Sequence, residues 1–306
     1  MAVNIEKVVF EGYRDCIKIS NGAAELIVLT EVGPRVISYS AFGGSNHFKV
    51  YSDQMDKRGG DDWRIMGGHR LWTSPELAGR ADEPDNDPVD YEIIQGGVRL
   101  IQKPSARTLT QKIMTVTLDE NSSKVTVKHE VKNTGMFEIE LSAWALSVMD
   151  TGGVLAAAQV REDTGLLPNR TLSLWPYSKL SDDRVYLGEK YFTLEQRTEK
   201  DSAFKLGMFA EQGGAAYFNH GQLFVKRFGA DADEQYPDWN CNFEAYVCAA
   251  MLECESLSPL CLLAAGESVE LFEEWELYDG VSRPNPRDEA AIEKALDGKL
   301  YSYYGE

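Results

Sequence analysis

The sequence is short of positive charge, of histidine and of long apolar runs, and each shortage closes off a class of function. Lys and Arg number 31 against 49 Asp and Glu, a formal charge of −18. A surface so acidic repels phosphate backbones and anionic lipid headgroups, because both are bound through cations that neutralise fixed negative charge. Nucleic acid and membrane surfaces are therefore not expected as partners. No stretch reaches the roughly 18 consecutive apolar residues that span a bilayer as a helix, and the opening MAVNIEKVVFEGYRD carries charge where a secretory signal would be apolar. A cytoplasmic location is expected. The five cysteines (Cys16, Cys241, Cys248, Cys254, Cys261) form no CxxC pair, so reduced thiols are expected rather than disulfides or a metal centre. Asp61, Asp62, Asp85 and Asp87 match no calcium-loop spacing. Neither a metal nor another cofactor is expected.

Helical periodicity is scarce too; what the chain has in quantity is period-two alternation in short runs broken by Gly, Asn and Asp. In SSKVTVKHEVKN, Val125, Val127, His129 and Val131 take one face and Thr126, Lys128, Glu130 and Lys132 the other. Comparable runs lie at 24–32, 35–42, 89–103, 108–120, 136–149, 215–228, 242–257 and 268–278. So many short strands, joined by turns such as DENSSK and NHGQ, predict an all-β, mostly antiparallel sandwich or supersandwich. Near the C-terminus, Asn285 and Pro286 are suited to cap and start a helix over RDEAAIEKALDGK, with Gly298 as its stop. The expected organisation is one domain over 1–280 and a helical appendage over 281–306.

Two stretches carry chemistry. Residues 57–88 lack strand alternation yet hold tryptophans, arginines and many acids, and long irregular segments are often functional. Within them GGHRLWTSPE (67–76) combines Gly67 and Gly68 for close backbone approach, His69 for proton exchange, Arg70 as a planar fork of donors and Trp72 as a flat apolar face. Those are the parts of a sugar site, since pyranose C–H faces stack on aromatics and hydroxyls need polar partners. The alternative is that Trp72 anchors the loop and Arg70 pairs with an acid such as Glu76. In NCNFEAYVCAAMLECESLSP (240–259), alternation puts Asn242, Glu244 and Tyr246 on one face, and Glu253 and Glu255 together on a face with Leu257. A buried carboxylate of that kind would have a raised pKa suited to acid–base work; an exposed one would simply be solvated.

These stretches, with NGAAELIVLTEVGPRVISYSAFGGSN (21–46), VKNTGMFEIELSAWALSVMDTGG (131–153), LPNRTLSLWPYSKLSDDRV (167–185) and AMLECESLSPLCLLAAGESVELFEEWELY (250–278), resemble the galactose mutarotase-like (aldose 1-epimerase) superfamily over essentially the whole domain, and most closely an uncharacterised bacterial branch of it. The resemblance implies a β-supersandwich binding a mono- or oligosaccharide, and an isomerase in which a late Glu takes the anomeric proton while a His protonates the ring oxygen. Leu252-Glu253 followed by Pro259 fits the family's Leu-Glu context, making Glu253 the expected base and Glu255 the alternative. The family's Asn-Arg pair falls at His69-Arg70, which carries Arg70 over as a sugar ligand. The sequence departs from the family where its acid His is expected: LSAWALSVMD offers Trp144, Ala145 and Leu146.

Of the four histidines, His129 is expected in a strand or core and His220 in a turn, His47 beside the GGSN turn is left open, and His69 is the candidate acid. Arg70, Trp72, Glu76, Asn242 and, for a carboxylate-bearing sugar, Arg35 are the candidate ligands. Trp144, Trp175 and Tyr177 could extend the aromatic surface but fit a core as well. Epimerisation of an aldose is the leading expectation, with a non-catalytic carbohydrate-binding or sensing protein, or a glycoside-cleaving or eliminating enzyme, as rivals.

Overall fold

The structure, a computed structural model, describes residues 2–81 and 83–305. Alternating apolar residues need two sheets to bury them, and two are formed. The first runs, in hydrogen-bonded order, β1 (Asn4–Phe10), β2 (Tyr13–Ser20), β3 (Ala24–Leu29), β4 (Arg35–Ala41), β5 (Gly68–Ser74), β10 (Ile139–Met149), β19 (Leu252–Leu257), β18 (Phe243–Val247), β15 (Phe204–Met208) and β12 (Leu172–Leu174), with β20 (Cys261–Leu263) beside β10. The second runs β13 (Val185–Leu187), β14 (Tyr191–Glu195), β11 (Val154–Ala158), β16 (Gly214–Asn219), β17 (Gln222–Phe228), β21 (Ser268–Asp279), β9 (Val125–Asn133), β8 (Thr110–Leu118), β7 (Gly97–Ile101) and β6 (Asp90–Ile94). All pairings among the described residues are antiparallel, as expected.

The inward-facing residues of both sheets form one apolar core that includes Leu26, Tyr39, Leu71, Ala145, Cys254, Val127, Phe224 and Trp275. Two local expectations are corrected. The irregular segment 57–88 contains a regular strand, β5, whose seven residues are all buried; burial on both faces removes the hydrophobic–polar alternation by which a strand is recognised. Gly67 and Gly68 open it with positive φ, where any Cβ would strike the Lys49 and Val36 carbonyl oxygens at 1.9 and 2.4 Å. The C-terminal helix spans Glu289–Leu296, and its N-cap is Asp288, which accepts from the Ala291 N–H at 3.0 Å. Asn285 instead accepts from Arg287 in the preceding turn. Ile292 and Leu296 pack on Ala156, Ala216, Phe218 and Val225, the outward side of the second sheet. All five cysteines are free thiols. No helix among the described residues is long and apolar enough to cross a membrane.

Candidate functional site

The centre of the first sheet, where β4, β5, β10, β19, β18 and β15 lie side by side, turns two sets of polar side chains in opposite directions. Register fixes the outward set: Arg35 lies opposite Arg70, Arg70 opposite Leu146, Leu146 opposite Glu255 and Glu255 opposite Glu244. One pleat along, Glu253 lies opposite Tyr246 and Tyr246 opposite Lys205.

On this outward face Arg70 donates to Glu253 at 3.2 Å, and its guanidinium lies 4.0 Å from the Trp72 ring centre and 5.8 Å from that of Trp63. Trp72 meets Trp144 edge-on at 5.7 Å. Trp144 donates its indole N–H to Glu255 at 2.8 Å. The Lys205 ammonium lies 2.7 Å from Glu244 and 3.0 Å from Glu255, 4.5 Å from both the Trp144 and Trp175 rings. Aromatic faces at that distance attract the cation.

Burial sets the protonation states. It pushes the Glu253 carboxyl up to about 7; Glu255 and Glu76 add to the shift, while Arg70 and Lys205 oppose it. Burial likewise holds Glu244 well above the usual carboxylate range despite Lys205. Burial works against the charge on Lys205 as well, but Glu255 and Glu244 outweigh it and keep the ammonium charged. Two carboxylates, Glu244 and Glu255, therefore share one cation, and burial favours the protonated form of Glu244. Four atoms here are buried without a partner: Glu244 Oε1, Glu255 Oε1, Arg70 Nε and Arg35 Nε. Unsatisfied buried polar groups are costly and call for an explanation, and a ligand is one. Glu253 and Glu255 share the face, as alternation predicts, but the two Glu255 contacts fall on a single oxygen of a fully buried side chain, whereas Glu253 is 7% exposed.

The inward set is a separate cluster. His69 Nε2 lies 2.7 Å from His129 Nε2, His69 Nδ1 2.9 Å from Ser147, and His129 Nδ1 3.1 Å from the Leu271 carbonyl. The carbonyl can only accept, so His129 carries its proton on Nδ1, and His69 donates from Nε2 and accepts from the Ser147 hydroxyl. Lys226 lies 2.8 Å from Glu273 and donates to Ser147, Ala145 O and Cys254 O; Ser256 and Trp275 donate to Glu273. His69, His129 and Glu273 are the group of donors among the described residues close enough to hold a cation. The Lys226 ammonium already occupies that role, and a divalent ion beside it would bury a second, repelled charge.

Three expectations are thereby corrected. His69 faces the inter-sheet core, fully buried, and cannot supply a proton to a ligand outside: it alternates with Arg70 and Trp72 along β5. Burial, with Lys226 beside it, keeps its pKa well below the usual value. Asn242 spends its amide on Ala210 and on the Gly229 carbonyl. Arg35 is buried, donating to the Ile65 and Gly67 carbonyls, and so ties down segment 57–67 rather than reaching a ligand. Arg70 pairs with Glu253, and Glu76 is exposed nearby at the rim. His129 lies in its strand and His220 in a left-handed turn, 3.2 Å from Asp150. Asp85 pairs with Lys112 in a buried contact at 2.7 Å.

Reading the sequence missed Lys205 and gave Glu244 no role. In FKLGM, Lys205 separates the core residues Phe204 and Leu206, a signal that marks a face but names no partner. A cavity of about 850 Å³ lies elsewhere, between Gly60, Pro84 and Pro104. Its charged walls are the solvated Asp61, Asp87, Lys103 and Arg107 and the half-buried Glu83, which accepts from Ser105 and Thr108; none of the outward acid–base groups lines it, so size alone does not make it the site.

Comparison with solved structures identifies the architecture. A galactose mutarotase-like protein from Lactobacillus casei superposes with a TM-score of 0.58 over 86% of this chain and 100% of its own, at 10% identity. The fold is that of the galactose mutarotase-like proteins. A second such protein, from Clostridium acetobutylicum, gives 0.57 over 91% and 99% at 11% identity. A Klebsiella pneumoniae protein provisionally termed an aldose 1-epimerase gives 0.63 over 99% and 90% at 12% identity. No protein-family model and no curated protein matches the sequence. At such identities the likeness to galactose mutarotase-like proteins is one of fold alone.

Proposed function

We propose that the outward face of the first sheet binds a neutral sugar and interconverts its anomers, with Glu253 as general base. The observation that carries this reading is the Glu253 carboxyl, raised to about 7 by burial and held by Arg70 at 3.2 Å, beside the Glu244 and Glu255 carboxyls that share the Lys205 ammonium. A base poised near the working pH transfers protons most effectively. In the forward step Glu253 takes the proton from the anomeric hydroxyl, the C1–oxygen double bond forms, and the ring C–O bond breaks. The ring oxygen receives a proton from the Glu244–Glu255–Lys205 group, which replaces the absent histidine. Rotation about C1–C2 and the reverse transfers close the other anomer. Arg70, whose Nε lacks a partner, donates to a sugar hydroxyl, and Trp72 and Trp63 supply apolar surface. With Arg70 and Lys205 already engaged by Glu253, Glu244 and Glu255, the face suits an uncharged sugar; a uronate or sugar phosphate would be repelled.

Exchange between galactose or glucose anomers, followed by magnetization-transfer NMR, tests the reading. Acceleration by the wild type that disappears in Glu253→Gln is expected. A second reading, binding without catalysis, is favoured by Leu146, which stands between Arg70 and Glu255 in the register where an imidazole would complete the site. Sugar binding with no acceleration would select it.

A further inference from the structure

Beyond the acid–base floor, at the β12 edge of the same sheet, lies a cavity of about 450 Å³ lined by Leu172, Leu174, Trp175, Pro176, Asp238 and Trp239. Its volume is that of a small-molecule site. Trp239 is 85% exposed, an unusual place for the largest apolar side chain. It sits in a run of three non-glycine residues with left-handed φ: Asp238 at 52°, Trp239 at 67° and Asn240 at 74°. Such conformations persist only where surroundings impose them, and they cluster at ligand sites. Here the imposing contacts are visible. Ser74 at the end of β5 donates to the Asp238 carboxylate at 3.2 Å, Ser173 of β12 donates to the Asp238 carbonyl at 2.5 Å, and the Cys241 thiol approaches the same carbonyl at 3.0 Å. The turn is thus pinned from two strands and closed by the Cys241 thiol at its own end, and its indole is held out over the cavity instead of folding into the core.

The cavity adjoins the floor. Trp175 lines it and lies 4.5 Å from the Lys205 ammonium, and Asp238 is near enough to Glu244 to raise its carboxyl further. Two aromatic faces and one carboxylate, next to a site for a single ring, are the parts needed to hold another: stacking on C–H faces with one acceptor for hydroxyls.

Resting on the reading of the floor as a sugar site, we infer that the Trp175–Trp239 cavity is a second pyranose subsite, so that the ligand is a di- or oligosaccharide whose terminal ring occupies the floor. An aromatic stack contributes enough to tighten binding by about three- to tenfold. The test is isothermal titration of galactose and glucose against lactose, maltose and cellobiose, with wild type, Trp239→Ala and Trp239→Phe. At least one disaccharide should bind the wild type about tenfold tighter than either monosaccharide. Trp239→Ala, at an exposed position that leaves the core intact, should bring that ratio to about one, and Trp239→Phe should restore most of it. Equal wild-type affinities for mono- and disaccharides, or an unchanged ratio in Trp239→Ala, would overturn the subsite while leaving the floor standing. No binding of any of the five sugars would overturn both.

Discussion

The two faces of β5, β10 and β19 carry polar clusters of similar size and opposite character. On the inner face, His69, His129, Ser147, Lys226, Ser256 and Glu273 are closed into one network, and none of their side-chain atoms is buried without a partner. On the outer face, a pleat away, Arg70, Glu244 and Glu255 each keep an unpartnered buried atom. A satisfied network rigidifies and specifies a fold; an unsatisfied one holds free energy that a ligand can release. The difference argues that histidine, the usual proton carrier, here serves architecture, and that carboxylates and a lysine serve chemistry.

The comparison breaks first at its strongest point. Glu253→Gln keeps an oxygen for Arg70 but removes the base, and should lower the rate of anomer exchange by about 10²- to 10⁴-fold, measured by polarimetry after dissolving a pure anomer. If the rate is unchanged while Lys226→Met abolishes it, the two faces have been assigned the wrong way round. On the inner face, Lys226→Met leaves Glu273 buried without its cation and should destabilise the fold by about 3–5 kcal/mol, read from urea midpoints. Adding Glu273→Gln should recover part of that loss, because the orphaned charge goes with it.

The faces also differ in the sign of their pH response. Burial, the main cause in each case, lowers the pKa of His69 and His129, and that of His47 to about 4. The unfolded chain therefore binds more protons below the ordinary value of 6.5, so this stability is present above pH 6.5 and lost as pH falls. Each histidine contributes a slope of up to about 1.4 kcal/mol per pH unit. Glu253 acts oppositely: raised from 4.5 to about 7, it makes the folded state the better proton binder, and its contribution is lost as pH rises from 4.5 to 7. Urea midpoints at pH 5, 6 and 7 should show Glu253→Gln with a steeper gain of stability toward neutral pH than wild type. The smallest effect belongs to Glu244→Gln, which replaces a carboxyl whose neutral form burial already favours and should change stability by less than about 1 kcal/mol while altering the pH profile of anomer exchange.

Much of this arrangement is legible in the chain. Period-two alternation places Val125, Val127, His129 and Val131 on one side of β9 and sets Glu253 beside Glu255 on one side of β19, and both hold. It also separates His69 from Arg70, since neighbours on a strand point to opposite faces; an expectation that put both in one site was in conflict with a strand at that position. The conflict was hidden because β5 is buried on both faces and reads as irregular sequence.

By itself, then, the sequence determines which residues form strands and which of them share a face, because both follow from local periodicity and turn chemistry. Only the tertiary structure decides which face looks into the core and which outward, and that Lys205, Glu244, Glu253 and Arg70 meet across four strands drawn from distant parts of the chain. The physical reason is that pairing order and register are long-range: a strand's alternation specifies two surfaces, but the neighbour it pairs with and the sheet packed against it give those surfaces their burial, their charges and their use.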